Sequence, residues 1–326
     1  MTSQIPRPPL NPDLAEAHKT TPLLDIDTPE KLHSYRATVH PMFTLENAIR
    51  GKEATIATEE LEIPGPIGPL HATVLRPKNP TRTATETPGV LHIHGGGLAT
   101  GTRFLGYTFN DWIEELGAVI VTAEYRLAPE HPAPAGLEDS YAGLVWMAEH
   151  AVQLGFNPDK LIIGGGSAGG NIAAGLALLA RDRGGPKLAG QVLMYPWVDD
   201  SLDWHSTEQF GDIAPVTWDN MVTVSKYAFG AGHEYADMYT APLRAAKEKE
   251  GGLAGLPPTY LDVGEADVFR DQDVAYASAL WKGGVSTELH VWPGAWHGFD
   301  VFVPGADVSQ RAIKARLEWL KRVVGE

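Results

Sequence analysis

The 326-residue chain contains no cysteine. Disulfides, thiolate zinc sites, iron–sulfur clusters and a cysteine nucleophile are therefore excluded. Positive charge is scarce: 26 lysines and arginines stand against 41 aspartates and glutamates, a formal net charge of −15. An acidic surface argues against nucleic acid or an anionic membrane as a partner held by bulk electrostatics. No apolar run approaches the ~20 residues of a membrane-spanning helix. The opening stretch, MTSQIPRPPLNPDL, is polar and proline-rich. It lacks the apolar core of a secretory signal, so a cytoplasmic protein is expected. Internal repeats and low-complexity segments are also missing. What remains is an ordinary globular composition, 43% hydrophobic and 21% charged, with length for one large or two modest domains.

Periodicity divides the chain. Residues 1–50 carry a loose apolar stripe (Leu32, Tyr35, Val39, Phe43, Leu45) behind several prolines and read as partly helical. Alternating runs over 54–64 and 68–76 predict an antiparallel hairpin closed by a Gly-Pro turn. Strands at 89–94, 118–125, 161–164 and 188–195 then alternate with helices through Phe109–Leu116, 137–154 and 171–181. Such alternation implies a parallel sheet with right-handed crossovers. It breaks from 196 to 239, where aromatic residues such as Trp197, Trp204, Phe210 and Trp218 lie among polar ones. This stretch reads as an inserted, mostly helical cap. Strands at 258–263 and 287–292 follow, with helices at 271–281 and 308–323. The expected architecture is α/β: a mostly parallel, eight-stranded sheet flanked by helices, its core in residues 51–195 and 240–326.

Within this frame Gly165-Gly166-Ser167-Ala168-Gly169 fits G-x-S-x-G between a strand and a helix. A serine at such a turn is strained and exposed, and small residues two away let strand and helix pass closely. An acyl-transfer serine needs a base, an acid that orients it, and donors for the oxyanion. In an open parallel sheet these belong on loops at the carboxyl ends of strands. Of 12 histidines, His297 lies just past the last strand and is the candidate base. His18, His33, His40, His150, His205 and His233 fall in helical or cap regions and are expected to be solvated. Asp267, in the exit loop of the preceding strand, is the favoured acid. Glu265 competes, Asp271 reads as a helix-start residue, and Asp262 lies inside the strand. The order Ser167, Asp267, His297 is that of α/β-hydrolases. Oxyanion donors are expected from the backbone of Ala168 and of the run Gly95-Gly96-Gly97 after His94. The pair His92 and His94 lacks a third ligand at metal spacing, and the chemistry needs neither metal nor cofactor.

Four segments now carry a resemblance: HGGG at 94–97, YRLAPEHPAPAGLEDSY at 125–141, GGSAGGN at 165–171, and DVFRD at 267–271 with HGF at 297–299. The chain resembles the hormone-sensitive-lipase-like family of α/β-hydrolase carboxylesterases, colinearly from about residue 60. The resemblance implies Ser167 as nucleophile, His297 as base, Asp267 as acid, and N–H groups of Gly96, Gly97 and Ala168 around the oxyanion. It implies a cap built from residues 1–50 and 196–239, a small-molecule ester substrate with a short- to medium-chain acyl group, and a homodimer through the edge of the last strand. A deacetylase, lactonase or amidase would use the same triad, and a non-catalytic receptor would use the same fold. Two departures stand out: Gly166 replaces the Asp or Thr common before the serine, and Leu98 replaces a frequent aromatic.

Overall fold

The computed structural model describes residues 5–21, 24, 26–106, 110–213, 215–248 and 251–325. One eight-stranded sheet runs in the order β1-β2-β4-β3-β5-β6-β7-β8. The hairpin β1 (Ile56–Pro64) and β2 (Pro69–Pro77) pairs antiparallel in full register, Ile56 with Pro77 through Pro64 with Pro69. Gly65 N–H closes the turn on the Gly68 carbonyl at 3.0 Å. β2 meets β4 (Val119–Ala123) antiparallel. All later neighbours are parallel: β3 (Gly89–Ile93) with β4 and with β5 (Leu161–Gly166), then β6 (Gly190–Met194), β7 (Thr259–Gly264) and β8 (Thr287–Trp292). Strands β3, β5, β6 and β7 are almost wholly buried, as apolar runs covered on both faces must be.

The helices, in chain order, are α1 (Pro12–His18), α2 (Pro29–Val39), α3 (Leu45–Ala48), α4 (Asn110–Leu116), α5 (Ala135–Glu149), α6 (Ala151–Leu154) and α7 (Ala168–Arg183). Then come α8 (His205–Phe210), α9 (Trp218–Phe229), α10 (Leu243–Glu248), α11 (Arg270–Lys282), α12 (Phe299–Phe302) and α13 (Asp307–Val323). Phe109, expected in the helix before β4, lies outside the described residues. The single helix expected over 137–154 is divided at His150, whose ring nitrogen Nδ1 lies 2.7 Å from the Trp146 carbonyl while its ring stacks on Trp146. That side-chain bond competes with the backbone ladder.

The largest departure concerns α7. It begins at Ala168, directly after Ser167, and not at Asn171. Gly169 and Gly170 discourage a helix by propensity, but tertiary contact demands them. A Cβ on Gly169 would stand 2.1 Å from the Ile93 carbonyl, and one on Gly170 2.7 Å from Pro196 Cβ. The helix is therefore pressed against the ends of β3 and β6, which brings Ser167 to the sheet's carboxyl edge. Residues between β6 and β7 form α8, α9 and α10, and the N-terminal segment lies against the stretch that carries α8 and α9. Asn220 donates to the Leu24 carbonyl at 2.6 Å, and Arg7 pairs with Asp212 at 2.6 Å.

Candidate active site

Three parallel strands end together at this edge, and each delivers one group. β5 leads into Ser167, which holds φ +56° and ψ −122°. A positive φ is costly for a residue with a Cβ and is kept where the surroundings over-determine it. Here Ser167 N–H donates to the Met194 carbonyl at 2.9 Å, and its own carbonyl accepts from Asn171 and Trp197 N–H groups at 3.0 and 3.2 Å. β7 leads into Asp267 and β8 into the loop bearing His297. His297 Nε2 lies 2.9 Å from Ser167 Oγ, and Nδ1 lies 2.8 Å from Asp267 Oδ2. Asp267 is 1% exposed and His297 7%. The other Asp267 oxygen accepts the Phe269 N–H at 2.9 Å.

The sequence competitors are used elsewhere. Glu265 accepts the Gly294 N–H at 2.9 Å. Asp271 lies in the first turn of α11 and accepts Ser206 N–H at 2.8 Å, which ties α8 to the core. Asp262 is buried in β7 and paired with Arg316.

Opposite the serine, the glycine run turns tightly. Gly96 has φ +113° and Gly97 φ +63°, whereas Gly95 stays in the ordinary region. Among the described residues, no turn or loop hydrogen bond uses the N–H of Gly96, Gly97 or Ala168 as donor. A Cβ on Gly96 would fall 2.0 Å from the Thr100 carbonyl oxygen. Gly96→Ala should therefore displace this loop and lower kcat by about 10²–10³, the usual effect of losing one oxyanion donor. Steady-state kinetics on a variant with a wild-type circular-dichroism spectrum measures this.

The support beneath the glycine loop was not legible from motif spacing alone. Tyr125 stacks on His94 with ring centroids 4.1 Å apart, and its hydroxyl donates to the His94 carbonyl at 2.9 Å. Ala128 N–H holds the Leu98 carbonyl at 2.8 Å. Arg36 of α2 donates to the carbonyls of Ala99 and Ala128 and pairs with Glu130. The YRLAPEHP block thus braces the loop from below. Burial lowers the pKa of both His92 and His94, the former to about 3, so both rings stay neutral. A neutral ring inside the core keeps charge away from the loop.

The remaining histidines divide. His33 and His205 are exposed, as expected. His233 is not simply solvated: its Nδ1 lies 2.7 Å from Asp200 and its Nε2 3.2 Å from Ser225. His40 lies 3.3 Å from the Thr100 hydroxyl. Neither makes a hydrogen bond to Ser167. The large cleft of about 1230 Å³ lined by Arg7, Trp204, Asp212, Trp218 and His233 contains none of Ser167, Asp267 and His297.

Residues 90–301 match the family described as α/β hydrolase fold. The chain is 37% identical over 242 residues to carboxylesterase NlhH of Mycobacterium tuberculosis, covering 73% of this chain and 74% of that protein. It is 36% identical over 244 residues to esterase LipI of the same organism, covering 74% of each. A bacterial heroin esterase superposes with a TM-score of 0.85 at 35% identity, over 97% of this chain and 98% of that one. An esterase from Pyrobaculum calidifontis gives a TM-score of 0.85 at 29% identity, over 98% and 100%. With this fold, these relatives and the HGGG and G-x-S-x-G segments in place, the chain belongs to the hormone-sensitive-lipase-like family of α/β-hydrolase carboxylesterases.

Proposed function

We propose that this chain is a serine carboxylesterase acting on short- to medium-chain acyl esters, with Ser167 as nucleophile, His297 as base and Asp267 as acid. The observation that carries the reading is the continuous contact from Ser167 Oγ through the imidazole to Asp267, 2.9 and 2.8 Å. His297 takes the serine proton as Oγ attacks the ester carbonyl. The N–H groups of Gly96, Gly97 and Ala168 receive the oxyanion, aided by the N-terminus of α7. His297 then protonates the departing alcohol, and water repeats the attack on the acyl-enzyme. Asp267 fixes the tautomer in which Nδ1 carries hydrogen and Nε2 faces the serine.

In this reading residues 1–50 and 196–239 form the cap over a core of 51–195 and 240–326. The bonds from Asn220 to Leu24, Arg7 to Asp212 and Tyr227 to Ile26 support that grouping. β8 ends the sheet, so its outer edge is open to a second copy, and a homodimer through it belongs to the same proposal. Turnover of aryl esters of rising acyl length, set against matched anilides and lactones, tests the substrate class. Hydrolysis concentrated on the short and medium esters is expected. Faster anilide or lactone cleavage would move the assignment to an amidase or lactonase, and no turnover of any ester would overturn it.

A further inference from the structure

Tyr195 is an outlier. It follows β6 directly and holds φ +38°, a region where a bulky residue is strained and which calls for a reason. Its backbone N–H donates to the Asp262 carbonyl at 2.6 Å, which fixes that strained turn to β7. Its ring is 5% exposed and meets the His297 imidazole edge-on, with centroids 5.0 Å apart and planes at 68°. Phe269 also meets the same imidazole edge-to-face, at 5.1 Å and 82°. The imidazole therefore has two aromatic walls, and its two nitrogens face Asp267 and Ser167.

The two walls are held differently. Phe269 stacks on Trp197. Tyr195 is held by charge. Arg316 lies over its ring, 5.9 Å from the centroid, and bridges Asp262 and Asp300, all three residues being 1% exposed or less. Burial, with the Asp300 carboxylate nearby, raises the Tyr195 phenol well above its ordinary value, so it keeps its proton. Asp300 lies three residues after His297, at the start of α12. The chain of contacts runs from the imidazole to Tyr195, from its ring to Arg316 and its partners Asp300 and Asp262, and from Asp262 back to the Tyr195 backbone. It joins β6, β7, α12 and α13 around one ring.

Gly166 completes the arrangement. A Cβ at this position would lie 3.2 Å from Tyr195 Cε2 and 3.5 Å from its hydroxyl oxygen. The residue that departs from the common elbow pattern is thus the one facing this ring. Without a side chain there, the ring can lie directly beside the nucleophile's strand.

We propose that Tyr195 is a positioning residue: its ring edge, anchored by the Asp300–Arg316–Asp262 cluster and seated against Gly166, holds the His297 imidazole in line between Asp267 and Ser167. The proposal rests on the triad reading above. Contacts of this kind act on the transition state through geometry, and a displacement of about 1 Å can cost about 10²-fold in rate. Leucine at 195 should lower kcat by about 10–100-fold while KM stays within about twofold. Tyr195→Phe, which keeps the ring edge, should restore most of the lost kcat. A folded Tyr195→Leu enzyme with wild-type kcat overturns the proposal. So does a loss confined to KM, or a Phe variant as slow as the Leu one. If the Leu variant does not fold, Gly166→Ala supplies the test from the other face. It should press the ring toward the imidazole and lower kcat about 3–10-fold, and an unchanged kcat contradicts the proposal. Ser167→Ala run alongside keeps the two readings apart. Retained hydrolysis there removes the triad itself, whereas an inactive Ser167→Ala with an unaffected Tyr195→Leu removes only the role of Tyr195.

Discussion

Ser167→Ala is expected to lower kcat by roughly 10⁴–10⁶, the range seen when a triad nucleophile is removed. The argument is geometric. No other hydroxyl is recorded within hydrogen-bond reach of His297 Nε2 among the described residues, so nothing else stands ready to give it a proton. The residual rate should come from the oxyanion donors and substrate binding alone. Because the three groups act as a unit, Ser167→Ala combined with His297→Ala should be no slower than either single variant. Additive losses would mean that the two residues serve separate steps. Stability should hardly change, since the Ser167 side chain makes one bond and its backbone carries the strain of the turn. Single-turnover kinetics with an aryl ester, beside a thermal melt, reads both effects.

Arg316→Met is expected to produce the largest loss of stability, about 3–5 kcal/mol, because it leaves a buried charge without its partner. The guanidinium donates to Asp262 at 2.9 Å and also to Asp300, and water reaches none of the three appreciably. Burial already raises the Asp262 pKa and outweighs the pull of Arg316. With the cation gone, the Asp262 carboxyl loses the pull of Arg316 and rises further in the folded state. The folded variant then binds more protons than the unfolded one, so its stability increases as pH falls from neutral. Urea titrations of wild type and variant at several pH values measure the effect. A companion variant, Asp262→Asn with Asp300→Asn in the Arg316→Met background, should recover part of the loss, as removal of the whole buried ionic set often does. A difference below about 1 kcal/mol at neutral pH, the scale of an exposed pair, would show that the cluster carries little.

Much of this molecule could be read from residue patterns, and the reasons are local. Strands β3 to β7 are short, largely apolar runs bounded by turns, and buried parallel strands must have that composition. The positions of Ser167, Asp267 and His297 follow from one rule, that functional groups cluster beyond the carboxyl ends of strands. What the pattern hid was decided by contacts between distant segments. The early start of α7 contradicts glycine propensity and becomes intelligible only when Ile93 and Pro196 are seen pressing on it. His150 divides a helix that its apolar spacing had joined. Arg316 lies on an amphipathic terminal helix among Lys314, Glu318 and Lys321, where an arginine reads as a surface charge, yet it is 1% exposed. Tyr195 looked like the last residue of a strand, and its positive φ has no signature in its neighbours. Gly166 did stand out as a departure, but its reason is the ring of a residue 29 positions away, counting from 166 to 195.

Reaction with a small organophosphate, followed by peptide mass mapping, tests the central claim most directly. The phosphoryl group reports on an activated serine and needs no knowledge of the natural ester. The account predicts one adduct per chain, located on Ser167, appearing in step with loss of ester hydrolysis and absent from Ser167→Ala. Loss of hydrolysis with the adduct on another residue, or full hydrolysis with Ser167 modified, would contradict it.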